Sequence, residues 1–157
     1  YKGYPSPALV FATHLAEVEV DPATGKVDVI NFVAAHDVGK AINPMLVEGQ
    51  VEGGAAQGIG WALMEDLQFK DGEILNPNFH DYKMLTMKDI PKVKTLLIEP
   101  IDPNGPFGAK GVGECAMVPT APAIVNAIYD AVGVRIKDIP ATCEKIFMRL
   151  REQEGAS

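Results

Sequence analysis

Cysteine is scarce in this chain: Cys115 and Cys143 are the only two among 157 residues. Two thiols are too few for a disulfide framework, a four-cysteine zinc site or an iron–sulfur cluster held by this chain alone. They point to a reducing compartment, the cytoplasm. Long apolar runs are missing too, and so is a basic leader followed by an apolar stretch, so neither a membrane span nor a secretory signal is expected. Positive charge is in deficit: 14 Lys and Arg stand against 21 Asp and Glu, a net charge of −7. The basic residues gather no further than Arg149 and Arg151, which argues against a nucleic-acid partner. No repeat or low-complexity linker divides the chain, and a chain of this length buries roughly two-thirds of its unfolded surface, enough for one core. The first residue is Tyr1 rather than methionine, and a piece of a longer polypeptide is expected.

What is present is a run of elements with legible boundaries. Residues 9–20 end in an alternation with Ala16, Val18 and Val20 on one side and Glu17 and Glu19 on the other. "DPATGK" then turns the chain into a β-branched return strand over residues 27–35, giving a hairpin whose second strand is largely buried. Asn43 and Pro44 read as the cap and first position of a helix. Along that helix Gly54, Gly58 and Ala62 recur every fourth residue, at a cost of about 1 kcal/mol per glycine, so something must approach that face closely. "LQFKDGEIL" is a second hairpin around Asp71-Gly72, residues 76–92 an irregular excursion and residues 93–99 another strand. A helix follows from Thr120, taken as its cap, with Ile124 and Ile128 on one face and Gly133 as terminator. The last helix spans about residues 142–152, with Ile146 and Leu150 facing the core. The predicted class is α+β: antiparallel strands and hairpins packed with helices, strands early and helices later.

The segment "GPFGAKGVGECAM", residues 105–117, holds four glycines and one carboxylate, Glu114. Such loops bring bare backbone against an anion. It is not a P-loop, because Lys110 precedes Gly111 and no hydroxyl follows, and it lacks the dinucleotide-binding spacing. Glu114 on its own could simply place negative charge ahead of the next helix. Cys115 is a nucleophile only if a base or an electropositive setting activates it. His14, His36 and His80 stand apart, none at the spacing of a local zinc pair, and each is expected to be structural.

Two segments carry a resemblance. "HDVGKAINPMLVEGQVEGGAAQGIGWAL", with His36, Asp37, Gly39, Asn43, Pro44, Gly49, Gln50, Gly53, Gln57, Gly58 and Gly60, and "GAKGVGECAM", ending its Lys-Gly-x-Gly-Glu pattern at Glu114, resemble the carboxy-terminal part of the molybdenum-binding subunit of the xanthine dehydrogenase and aldehyde oxidoreductase family of molybdenum hydroxylases. The resemblance covers roughly residues 5–151. It implies that residues 1–157 are a carboxy-terminal molybdopterin-cofactor-binding domain, one part of a larger subunit.

The resemblance also implies the site. Glu114 matches the family's general base beside molybdenum; Gln57 and Gly58, with the loop Ala109, Lys110, Gly111, Val112 and Gly113, match residues that line the cofactor. No protein side chain is implied as a metal ligand, because the pterin dithiolene holds the molybdenum. Lys110 reaches an anionic group or lies in solvent. The nucleotide form implied is the bacterial cytosine dinucleotide. Iron–sulfur clusters and FAD are expected on other chains or domains, and the partners implied are the rest of the molybdenum subunit, an iron–sulfur subunit, an FAD subunit and a small-molecule substrate. Two alternatives stand beside this one: a non-catalytic assembly domain of the same fold, and a thiol enzyme using Cys115.

Overall fold

A computed structural model describes residues 8–155; the first few residues of the resemblance lie outside them. Strands β1 (Ala12–Asp21) and β2 (Lys26–Asp37) form the expected antiparallel hairpin. Its turn is held by Asp21, whose carboxylate accepts from the Ala23 N–H at 2.9 Å and the Thr24 hydroxyl at 2.7 Å. The return strand does not run in one phase. A bulge breaks the register between Glu17 and Val18, with Ala16 opposite Phe32 but Val18 opposite Val29. One extra residue on β2 shifts its inward side from Val27 and Val29 to Phe32, Ala34 and His36. Ile30, in a strand expected to be largely buried, is therefore exposed.

Helix α1 (Pro44–Leu63) begins where Asn43 Oδ1 accepts the Leu46 N–H at 3.2 Å, a cap worth about 1 kcal/mol. The short strands β3 (Phe69–Lys70) and β4 (Glu73–Ile74) make the second hairpin. Buried Asn76 braces it by accepting from the Gln68 N–H and donating to the Asp66 carbonyl. The next strand, β5 (Val93–Ile98), lies parallel to β2 in a sheet ordered β1-β2-β5. A parallel neighbour needs a long crossover, and α1 with the second hairpin supplies it. The α+β class holds, with a third strand that is parallel and a helix between the strands.

Helices α2 (Thr120–Val132) and α3 (Cys143–Gly155) complete the fold. Ile124 and Ile128 of α2 are fully buried with Val51 and Ile59 of α1 and Phe32 of β2, each large side chain contributing about 1.5–3 kcal/mol. By length and composition alone, the stretch Glu114–Val132 is apolar enough to cross a membrane; here it supplies the central helix of this core. Gly133 stops α2 with φ +72°, as expected. Thr120 differs from expectation: it is the first helical residue, and its hydroxyl is used elsewhere. The close approach on α1 is to this segment. A Cβ on Gly54 would sit 2.6 Å from that of Ala116, and one on Gly58 would sit 2.5 Å from that of Thr120.

Candidate functional site

After β2 the chain runs through Val38, Gly39 and Lys40 alongside residues 108–110. The Lys40 N–H donates to the Gly108 carbonyl at 2.7 Å and the Lys110 N–H to the Val38 carbonyl at 2.9 Å. Gly39, at φ +59°, faces Ala109 across this bridge, and a side chain there would strike the Gly108 carbonyl. That is why the motif needs glycine at this position. Lys110 Nζ donates to Asp37 Oδ2 at 2.6 Å and to the Leu9 carbonyl at 2.9 Å. Both charged side chains are nearly buried, at 10% and 11% exposure. The head group of Lys110 is therefore neither in solvent nor free to meet an outside anion; its contribution at a cofactor site would have to come from backbone.

Beyond Lys110 the loop opens. Gly111, Gly113 and Glu114 are exposed, and a Cβ on either glycine would meet nothing within 4 Å. Among the described residues, no acceptor receives the backbone N–H groups of residues 111–114. Glu114 opens a single 3-10 turn, Glu114–Ala116, closed by the Met117 N–H on its carbonyl at 3.0 Å. The turn and the exposed face of α1 wall a depression of about 570 Å³, lined among others by Gly49, Gln50, Gly53, Gln57 and Glu114. Gln57 and Glu114, far apart in sequence, thus share one concavity. Ala109, Lys110 and Val112 line a smaller hollow of about 210 Å³, and Gln50 borders both. Gly58 lines neither hollow: it is buried where α1 packs against Thr120.

A molybdopterin group is anionic and polar, and the donor set fits it. The N–H groups of residues 111–114, unclaimed among the described residues, are available to an anionic group, the Gln57 amide both donates and accepts, and the glycines leave the floor bare. Among the described residues no group of three or more His, Cys, Asp or Glu could hold a metal ion.

The histidines form a structure that their spacing in sequence did not reveal. His14 Nε2 lies 2.7 Å from His36 Nε2, and His14 Nδ1 lies 3.0 Å from Thr120 Oγ1. Burial pushes His14 down from 6.5 to about 4, with His36 adding to the shift, and burial lowers His36 as well, so both rings are neutral. Only one nitrogen of the close pair then carries hydrogen. His36 Nδ1 is buried without a partner. We assign the Nε2–H to His36 and the Nδ1–H to His14, since this leaves a bare lone pair orphaned instead of an N–H, the rarer and costlier case. The available signal was the shared inward phase of His14 and His36, visible only once the bulge is placed.

Cys115 is half-buried, with its Sγ 3.5 Å from the Gly111 carbonyl. Burial pushes its thiol pKa up, opposite to what a nucleophile requires.

A bare-backbone loop and a small-residue helix thus wall a depression lined by the amides of Gln50 and Gln57 and the carboxylate of Glu114, an arrangement suited to a polar cofactor. Residues 1–91 match the family described as "Molybdopterin cofactor-binding domain". The chain is 40% identical over 139 residues to the xanthine dehydrogenase molybdenum-binding subunit of Escherichia coli, an alignment covering 87% of this chain and 18% of that protein. It superposes on quinoline 2-oxidoreductase from Pseudomonas putida with a TM-score of 0.83 and 40% identity, covering 88% of this chain and 18% of the other. On aldehyde oxidoreductase from Desulfovibrio gigas the values are 0.84 and 39%, over 90% and 15%. The chain belongs to the molybdenum-binding subunit family of the xanthine dehydrogenases and aldehyde oxidoreductases. It spans about a fifth of the length of these relatives.

Proposed function

We propose that this chain is the carboxy-terminal part of a cytoplasmic molybdenum hydroxylase subunit that oxidises a heterocycle or an aldehyde with oxygen derived from water, and that Glu114 is its general base. The observation that carries this reading is the depression that Glu114 and Gln57 both line, at the end of a loop whose N–H groups from 111 to 114 have no acceptor among the described residues. When bound, the molybdenum cofactor supplies the redox centre that takes up the substrate's electrons. Glu114 accepts a proton at its carboxylate as the oxygen nucleophile attacks, a role worth about 100-fold to 10,000-fold in rate. Gln57 and Gln50 orient polar groups of the cofactor, and the backbone of residues 109–113 donates to its anionic parts. Gly49 and Gly53 keep side chains out of the space it fills.

Partners follow from surface. The chain exposes 10368 Å², against about 7,700 Å² expected for a free-standing monomer of its mass. Leu15, Leu96 and Ile98 lie exposed on the sheet face turned away from the helices. The remainder of the molybdenum subunit covers this surface, and electrons leave to iron–sulfur and FAD partners. The cofactor is the cytosine dinucleotide form.

The test is Glu114→Gln in the assembled enzyme: turnover falls at least about 100-fold while the molybdenum content stays normal. Retained turnover removes the base assignment. A full-length partner that co-purifies without molybdenum or pterin favours the non-catalytic assembly domain.

A further inference from the structure

We propose that the adjacent residues His36 and Asp37 act as positioning residues that clamp both ends of the segment carrying Glu114. Neighbouring side chains on a strand point to opposite faces, so a strand end can hold one element on each side. Asp37 takes the near end of the segment, through its 2.6 Å ion pair with Lys110. His36 takes the far end: it bonds His14, and His14 bonds the Thr120 hydroxyl at the start of α2. Glu114 lies between the two anchors.

The span between them has little else to hold it. Gly111, Gly113 and Glu114 are exposed, and residues 111–114 donate no backbone hydrogen bond among the described residues. Internal order comes from the Cys115 contact with Gly111 and the short 3-10 turn. Ala116 and Thr120, four residues apart, seat against Gly54 and Gly58, one turn of α1 apart. That seating sets the distance of the turn from α1, whereas the polar anchors set its position along the sheet edge. The β2 bulge is what makes the clamp possible, because without the extra residue His36 would face away from α2 and Asp37 toward it.

This inference rests on Glu114 being the base, since a base must be held in place to act. Misplacement by about 1 Å can cost on the order of 100-fold in rate. Asp37→Asn weakens the first anchor by removing the carboxylate's charge, Thr120→Val removes the hydroxyl of the second, both keeping shape, and Thr120→Ser retains the hydroxyl. In the assembled molybdenum subunit, both loss variants are expected to speed amide hydrogen exchange at Ala116 and Met117, whose N–H groups donate to the Gly113 and Glu114 carbonyls. Both should also lower kcat per bound molybdenum by about 10-fold to 100-fold, with KM little changed, and Thr120→Ser should restore both readouts. Unchanged exchange in both loss variants overturns the clamp, as does faster exchange with wild-type kcat. Glu114→Gln run in parallel separates the two readings: if it keeps turnover, the base assignment fails, while the exchange data still decide the anchoring.

Discussion

Lys110 Nζ and Asp37 Oδ2 meet at 2.6 Å although their residues are 73 positions apart. The pair is nearly sealed from solvent, and desolvation makes such a pair more demanding than an exposed one: intact, it gives little net stability, but a lone buried charge is costly. Lys110→Met should therefore destabilise the subunit by about 3–5 kcal/mol. Lys110→Met with Asp37→Leu should cost much less than the sum of the single changes. Denaturant melts of the four proteins check this, and additivity would show that the charges do not depend on each other.

The glycines of α1 divide into two kinds with opposite expected responses. Gly54 and Gly58 have no room for a Cβ, whereas one on Gly49 or Gly53 would meet nothing within 4 Å. Gly58→Ala should be destabilising, because overpacking costs about 1–3 kcal/mol and exceeds or offsets a propensity gain of about 1 kcal/mol. Gly49→Ala and Gly53→Ala should raise the melting temperature of the cofactor-free subunit while lowering its molybdopterin content, since each adds a methyl to the floor of the depression. Melting curves with molybdenum and pterin analysis read both effects.

Acid should weaken the fold through the histidine pair. Each ring binds its proton less readily folded than unfolded, His14 at about 4 against an ordinary 6.5. Between these values the unfolded chain holds more protons, so stability rises with pH. The contribution is fully present above about pH 6.5 and is lost as pH falls toward about 4. Melting temperature followed over this window should drop steeply in the native protein and less steeply in His14→Gln, where only His36 remains to titrate. Equal slopes would remove the pair as the source.

Cys115→Ser is expected to leave turnover within about 3-fold of the native value, the thiol being raised rather than activated. Steady-state rates before and after alkylation check it; loss of turnover in both would revive the thiol enzyme.

Much of the local structure could be read from residues a few positions apart. The Asp21 turn, the start of α1 at Asn43 and Pro44, and the stop at Gly133 depend on hydrogen bonds and backbone preferences within about one turn of chain. Thr120 has the residue type of a cap, but its hydroxyl pairs with His14, 106 residues away, a partner that no local pattern reveals. The family pattern pairs Gln57 with Gly58, but neighbours on a helix face different directions, and only Gln57 lines the depression.

By itself the sequence determined the hairpins, the helix limits and the family motifs, since these depend on short-range chemistry and residue order. Only the tertiary structure decided that β5 lies parallel to β2, that a bulge turns His36 toward α2, and that Asp37 claims Lys110. It alone brought Gln57 and Glu114 to one depression. The reason is that strand phase, burial and long-range partner choice emerge from packing the whole chain, and a single inserted residue reverses which side chains face the core.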